Sequence, residues 1–178
     1  CGYGEPLAHP DICEIVDILS KVAHVEIVTN GDLIKIDLIR NLYLAGLSQL
    51  SISAYDGPHQ ITKFSKLMSD ANIAKKSFHI RNRWFSKEEG YGLKLTNRAG
   101  LLNIEDSTLD LNRPCNYPNY SLSIDWNGEV LLCVQDWHKK INFGNIFKES
   151  IEDIWFGEKM KSYRKRLMKG RACAGFPC

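Results

Sequence analysis

The stretch VEIVTNG, residues 25–31, decides the fold of the N-terminal half of the chain. Its β-branched residues favour a strand, and the pair Asn30-Gly31 is a turn signal that ends the strand. The segment LSQLSISAYDG repeats this arrangement, with a strand predicted at residues 50–54. A third alternating stretch begins at Ser77. The sequence therefore predicts three successive strands.

Amphipathic helices are predicted before and between these strands. Apolar residues recur with helical period after Asp11, which has the spacing of a capping box with Glu14. Further helices are predicted at residues 34–45 and 58–70. Alternating helices and strands with short connections favour a parallel sheet. We therefore expect an α/β fold, a partial (β/α) barrel over residues 1–83.

Polar, glycine-bearing loops follow the predicted strands at residues 2–6, 30–31 and 55–57. In parallel sheets and barrels, ligands bind at the carboxyl ends of the strands. Any one of these loops alone is explained as a good turn former. Together on one rim, they predict a binding site.

The C-terminal part has a different character. Residues 84–114 are polar and irregular, and we interpret them as a linker to a second unit at residues 115–178. There the stretch YSLSIDWNGEVLLC alternates on both sides of Asn127-Gly128, which predicts a hairpin. Helical segments are predicted at residues 149–155 and 158–169. The second unit is therefore expected to be a small α+β domain.

The composition is that of an ordinary globular protein. Of its 178 residues 44% are hydrophobic, the formal net charge is +2, and no apolar run approaches the length of a membrane span. Basic residues gather at residues 159–171, but no stacking platform of several aromatic side chains is interleaved with them. We expect the solvated face of a helix there, with neither a nucleic acid nor a membrane as partner.

The cysteines point to a metal or cluster centre. Four of the six lie in the last 64 residues, in the order Cys115, Cys133, Cys173 and Cys178. The turn at Gly128 brings the first two back to one end of a hairpin. Thiolates suit either an iron–sulfur cluster or zinc, and spacing does not separate the two. Paired or buried cysteines remain the alternative.

The motifs taken together resemble those of the radical S-adenosylmethionine enzymes. GYGEPLAHPD, VEIVTNG and SISAYDG occur in that order at the front of the chain. At the other end, Cys-x12-Gly-x4-Cys followed by INFGNIFKESIEDIW resembles the SPASM domain, or the shorter twitch domain, of many of these enzymes. The resemblance covers nearly the whole chain.

The resemblance also implies roles for individual residues. Those of the glycine-glycine-glutamate-type loop would hold the methionine amino group, and others on later strands would line the S-adenosylmethionine pocket. The implied cofactor-binding residues are Gly2, Gly4, Glu5, Pro6, Asn30, Ser53 and Arg81. The implied ligands of an auxiliary iron–sulfur cluster are Cys115, Cys133, Cys173 and Cys178.

One family feature is absent from the sequence. These enzymes carry a Cys-x3-Cys-x2-Cys loop upstream of the position of Gly4, and its thiolates hold a [4Fe-4S] cluster. Cys1 and Cys13 lack that spacing. SPASM domains also usually supply further cysteines after the position of Cys178. We therefore expect a fragment with both ends cut, inactive by itself.

For the parent protein, the resemblance implies reductive cleavage of S-adenosylmethionine to a 5′-deoxyadenosyl radical, which abstracts hydrogen from a small-molecule or peptide substrate. Relatives with such extensions modify peptides, sugars or sugar alcohols. An electron donor such as flavodoxin or ferredoxin and a cytoplasmic location are expected. The alternatives are a non-catalytic zinc- or cluster-binding interaction module and a disulfide-linked secreted domain.

Overall fold

The computed structural model describes residues 4–84 and 110–175, which belong to two compact units. Most of the expected linker, residues 85–109, lies outside the described residues, as do Gly2 and Cys178. Within the described parts of the chain, no helix is both long and apolar enough to cross a membrane.

The first unit is built on a sheet of three parallel strands. They are β1 (Glu26–Thr29), β2 (Gln49–Ala54) and β3 (Phe78–Asn82), and they lie side by side in chain order. The predicted parallel α/β arrangement is confirmed. Closure of the sheet into a barrel stays a prediction, because these strands form an open sheet among the residues described.

Helices connect the strands as predicted. They are α1 (Ile12–Ser20), α2 (Ile36–Leu44) and α3 (Pro58–Asp70). Pro58 opens α3 at a position where its missing N–H costs no helical hydrogen bond. The capping box expected at α1 is wrong, because the N-cap residue Asp11 makes no side-chain cap hydrogen bond.

The helices bury one face of the sheet. Full burial of a large apolar side chain contributes roughly 1.5–3 kcal/mol, so the apolar layer between the helices and the sheet dominates the stability of the unit. The largest fully buried side chains of this layer are Ile39, Leu42, Leu50, Ile52, Phe64 and Met68. Because side chains alternate along a strand, the opposite face carries Glu26, Ser51, Ser53 and Arg81. One face is therefore apolar, and the other is largely polar.

The second unit contains an antiparallel sheet. Its strands are β4 (Ser123–Ile124), β5 (Glu129–Leu131) and β6 (Asn142–Asn145), in that order. The predicted hairpin is confirmed, with residues 125–128 as its connection. Gly128 has φ +81°, and a Cβ there would lie 2.6 Å from the Phe147 ring, so the turn requires glycine.

Two helices complete this unit, α4 (Ile151–Phe156) and α5 (Glu158–Met168). The hydroxyl of Ser150 accepts a hydrogen bond from Asp153 N at 3.0 Å and caps α4. The guanidinium of Arg164 stacks 3.9 Å from the Trp155 ring centroid and donates to the Trp155 carbonyl. Basic residues on α5 thus include one with a packing role.

Candidate functional site

The loop Gly4–Pro6 meets the carboxyl end of β1, as expected for a binding rim. A short 3-10 helix, Pro6–Ala8, follows the loop, and its N-cap Glu5 accepts a hydrogen bond from Leu7 N. A Cβ placed on Gly4 would have no atom of the described residues within 4 Å. There is open space beside the main chain at Gly4, which is what a ligand held by backbone groups needs.

Glu5 is bonded to the end of β1. Its Oε1 accepts a hydrogen bond from the Thr29 hydroxyl at 2.6 Å, and its Oε2 accepts one from Asn30 N at 2.9 Å. The Thr29 hydroxyl also accepts from Gly31 N at 3.0 Å. This network places Glu5 and Asn30, both predicted from sequence, at one location.

The Asn30 side chain is held by a hydrogen bond within the turn that follows β1. Its side-chain oxygen accepts a hydrogen bond from Asp32 N at 2.9 Å, a local pattern typical of asparagine in turns. Gly31, which follows, has φ +86°, and a Cβ there would lie 2.4 Å from Phe64 Cζ. The strand therefore ends sharply, because only glycine fits between the turn and the core.

Ser53 and Arg81 are direct neighbours across β2 and β3. Ser53 is 4% exposed, on the polar face of the sheet. Arg81 turns away from the carboxyl ends: its Nη2 donates to Ser51 Oγ at 3.2 Å and lies 3.5 Å from Glu26 Oε1. Ser51 Oγ in turn donates to Glu26 Oε1 at 2.6 Å. Arg81 therefore binds neighbouring strands in this structure.

Cys115 and Cys133 both pack against the core of the second unit. Cys115 N donates to the carbonyl of Leu167 at the end of α5. Cys133 follows β5 closely, and its Sγ accepts a hydrogen bond from Gln135 N at 3.4 Å. The Gln135 N–H is thus directed at the sulfur of a predicted cluster ligand.

Cys173 is placed differently. It is exposed, and its Sγ lies 3.9 Å from the carbonyl oxygen of Lys169. Among residues 4–84 and 110–175, no group of three or more His, Cys, Asp or Glu side chains is arranged to hold a metal ion. Cys13, Cys115 and Cys173 form no disulfides.

A buried carboxylate closes the loop that begins at Cys133. Asp136 is 2% exposed, and its Oδ2 accepts a hydrogen bond from Ile141 N at 2.9 Å. Its Oδ1 is buried without a hydrogen-bond partner. Asp136 N donates to the carbonyl of Cys133. Hydrogen bonds within the loop thus hold its conformation next to Cys133, a predicted cluster ligand.

Sequence reasoning missed the residues that organise these places. Thr29 and Glu26 were not singled out, because each acts through a tertiary contact. Asp136 was not singled out, because no local pattern marks the contacts within its loop. The sequence pattern alone could have indicated Thr29, because it is a polar residue at the last position of a buried strand. Such a residue needs a hydrogen-bond partner at the strand end.

Known proteins match the sequence and the fold across both units. Residues 115–178 match the model of the SPASM family, an iron–sulfur cluster-binding domain. Over 172 residues the chain is 27% identical to the S-adenosyl-L-methionine-dependent 2-deoxy-scyllo-inosamine dehydrogenase of Niallia circulans. That match covers 94% of this chain and 65% of the relative, slightly under two thirds of its length.

Solved structures give the same result for the fold. The chain is similar to BtrN in complex with AdoMet and 2-DOIA, with a TM-score of 0.74 and 25% identity over 97% of this chain and 69% of that one. It is also similar to BtrN in an open conformation, with a TM-score of 0.67 and 23% identity over 95% and 63%. The expected resemblance to the radical S-adenosylmethionine enzymes with a SPASM domain is therefore confirmed.

Proposed function

We propose that the protein containing this chain is a radical S-adenosylmethionine dehydrogenase that acts on a small cyclic polyol or aminocyclitol. The observation that carries the proposal is the match to a 2-deoxy-scyllo-inosamine dehydrogenase across 94% of the chain. The sequence had left peptides and sugars open as substrates. The relative favours the sugar-type class, because a cyclitol carries the ring hydroxyls of a sugar.

The first unit would hold S-adenosylmethionine at the carboxyl ends of its strands. The fit rests on the open space beside Gly4 and on Asn30, whose N–H binds Glu5 of the same loop. Ser53, on β2, would line the same pocket. The main chain of the loop from Gly2 to Pro6 would bind the methionine amino group. To bind the methionine carboxylate of the cofactor, Arg81 would have to break its hydrogen bond to Ser51. We therefore assign it a minor role.

The second unit would hold an auxiliary iron–sulfur cluster. Its donor set fits, since Cys115 and Cys133 lie against one core and thiolates are soft ligands. The C-terminal segment with Cys173 and Cys178 would supply the remaining ligands. Since Cys173 is exposed here, its thiol would have to turn inward on cluster binding. We assign no residue of this chain to the [4Fe-4S] cluster that activates S-adenosylmethionine.

When bound, the cofactors supply the radical chemistry: one-electron reduction yields a 5′-deoxyadenosyl radical able to abstract hydrogen from carbon. The chain's own residues would bind and orient the cofactor. A flavodoxin or ferredoxin would deliver the electron, and the cytoplasm would provide the reducing conditions that such clusters need.

The proposal is tested with the full-length protein, reconstituted anaerobically with iron and sulfide. Dithionite, S-adenosylmethionine and 2-deoxy-scyllo-inosamine are added, and products are followed by mass spectrometry. We expect 5′-deoxyadenosine together with a product two hydrogen atoms lighter than the substrate. Stoichiometric zinc, no iron–sulfur absorption and no 5′-deoxyadenosine would instead support a non-catalytic metal-binding module.

A further inference from the structure

The Thr29 hydroxyl lies between two loops and is hydrogen-bonded to both. It donates its proton to Glu5 Oε1 at 2.6 Å and accepts from Gly31 N at 3.0 Å. Thr29 is 2% exposed, so water does not compete for these bonds. The hydroxyl therefore joins the loop of Glu5 to the turn after β1, across 24 positions of sequence.

The Glu5 carboxylate is nearly saturated by the protein. It accepts hydrogen bonds from Leu7 N, from the Thr29 hydroxyl and from Asn30 N. An ionised carboxylate offers about four acceptor positions, so about one is left, on Oε2. A ligand's ammonium group would find little of this carboxylate available.

We propose that Thr29 and Glu5 form a clasp that positions the Gly4–Pro6 loop against the end of β1. Thr29 is then a positioning residue for the cofactor site, and the Glu5 carboxylate mainly binds groups of the protein and not the cofactor. The inference rests on the proposed function for the identity of the ligand. The clasp itself rests only on the hydrogen bonds described.

The clasp affects binding through the population of the ordered loop. A glycine-bearing loop has much conformational freedom, and each alternative conformation reduces the fraction that can bind. The apparent dissociation constant rises in proportion as that fraction falls. One hydrogen bond is worth about a tenfold change in such an equilibrium.

The experiment uses the full-length protein with its clusters reconstituted. Thr29→Val removes the hydroxyl at constant shape, and Thr29→Ser restores it. Thr62→Val, on the exposed face of α3, is the control for the same chemical change. Two quantities are measured: the dissociation constant of S-adenosylmethionine, and the hydrogen exchange rates of the Asn30 and Gly31 amides without cofactor.

We expect Thr29→Val to raise the dissociation constant about tenfold and to accelerate exchange at both amides. Thr29→Ser and Thr62→Val should stay within about twofold of the wild type. A purely structural role would lower thermal stability and leave the dissociation constant unchanged below the transition, which would overturn the positioning role.

Exchange that is unchanged in Thr29→Val would overturn the clasp itself. If the wild-type protein binds no S-adenosylmethionine, the proposed function fails, while the exchange rates still decide whether the clasp exists. Should Thr29→Val not fold, Glu5→Gln takes its place, because its amide puts a donor where the structure has an acceptor. It should accelerate exchange at Asn30 in the same way.

Discussion

Replacing Gly31 by alanine tests the junction between the turn after β1 and the core. Gly31 has φ +86°, where an L-residue costs about 1–2 kcal/mol. The new Cβ would lie 2.4 Å from Phe64 Cζ and 3.1 Å from Ile52 Cγ2. Phe64 is buried, and overpacking such a core costs roughly 1–3 kcal/mol. We expect a loss of roughly 2–5 kcal/mol in the free energy of unfolding of the first unit.

The assay is urea-dependent hydrogen exchange at the amides of β2, the central strand, since these report opening of the whole first unit. Phe64→Leu removes the ring atoms nearest the new Cβ. In a double-mutant cycle, it should recover about 1 kcal/mol or more of the loss in Gly31→Ala.

Gly175→Ala is the matched control. Gly175 has φ +77°, but a Cβ there would meet no atom within 4 Å in the part of the chain that the structure describes. It should show the backbone cost alone, about 1–2 kcal/mol, measured by exchange in β5. A loss below about 1 kcal/mol in Gly31→Ala, or no coupling with Phe64→Leu, would refute the reasoning.

Other predictions concern a phenol, a carboxylate and the cysteines. Burial raises the pKa of Tyr43 to about 12 from 10.0. The contribution of Tyr43 to stability is therefore complete below pH 10 and is lost as the pH rises towards 12. Urea titrations between about pH 9 and pH 11 should show a fall in the free energy of unfolding that is absent in Tyr43→Phe. Asp136→Ala should lower the melting temperature, because a buried N–H loses its partner at a cost of about 1–3 kcal/mol; an unchanged melting temperature would contradict this. Cys133→Ser should abolish the auxiliary-cluster signal in Mössbauer spectra, whereas Cys13→Ser, on α1, should leave it intact.

The regular elements were predictable because each has a local cause. β-Branched residues before Asn30-Gly31 give β1, and Pro58 opens α3 at its observed first residue. The Asn127-Gly128 pair gives the hairpin, since Gly128 must adopt a positive φ. These signals lie within a few residues of the structure that they determine, so no tertiary information is needed.

The contacts of the candidate site were less predictable, because they join distant residues. The Glu5–Thr29 bond depends on where the loop meets β1, and no local pattern encodes that meeting. Arg81 was expected to line the cofactor pocket, and in this structure its side chain contacts Ser51 and Glu26, which no local pattern encodes. The exposure of Cys173 likewise follows from how the chain folds after α5.

The most direct test is a crystal structure of the reconstituted full-length protein with S-adenosylmethionine bound. We expect the methionine amino group within hydrogen-bond distance of the main chain between Gly2 and Glu5, at the carboxyl ends of β1 and β2. A cofactor bound elsewhere, with the open space beside Gly4 still empty, would contradict the proposed site.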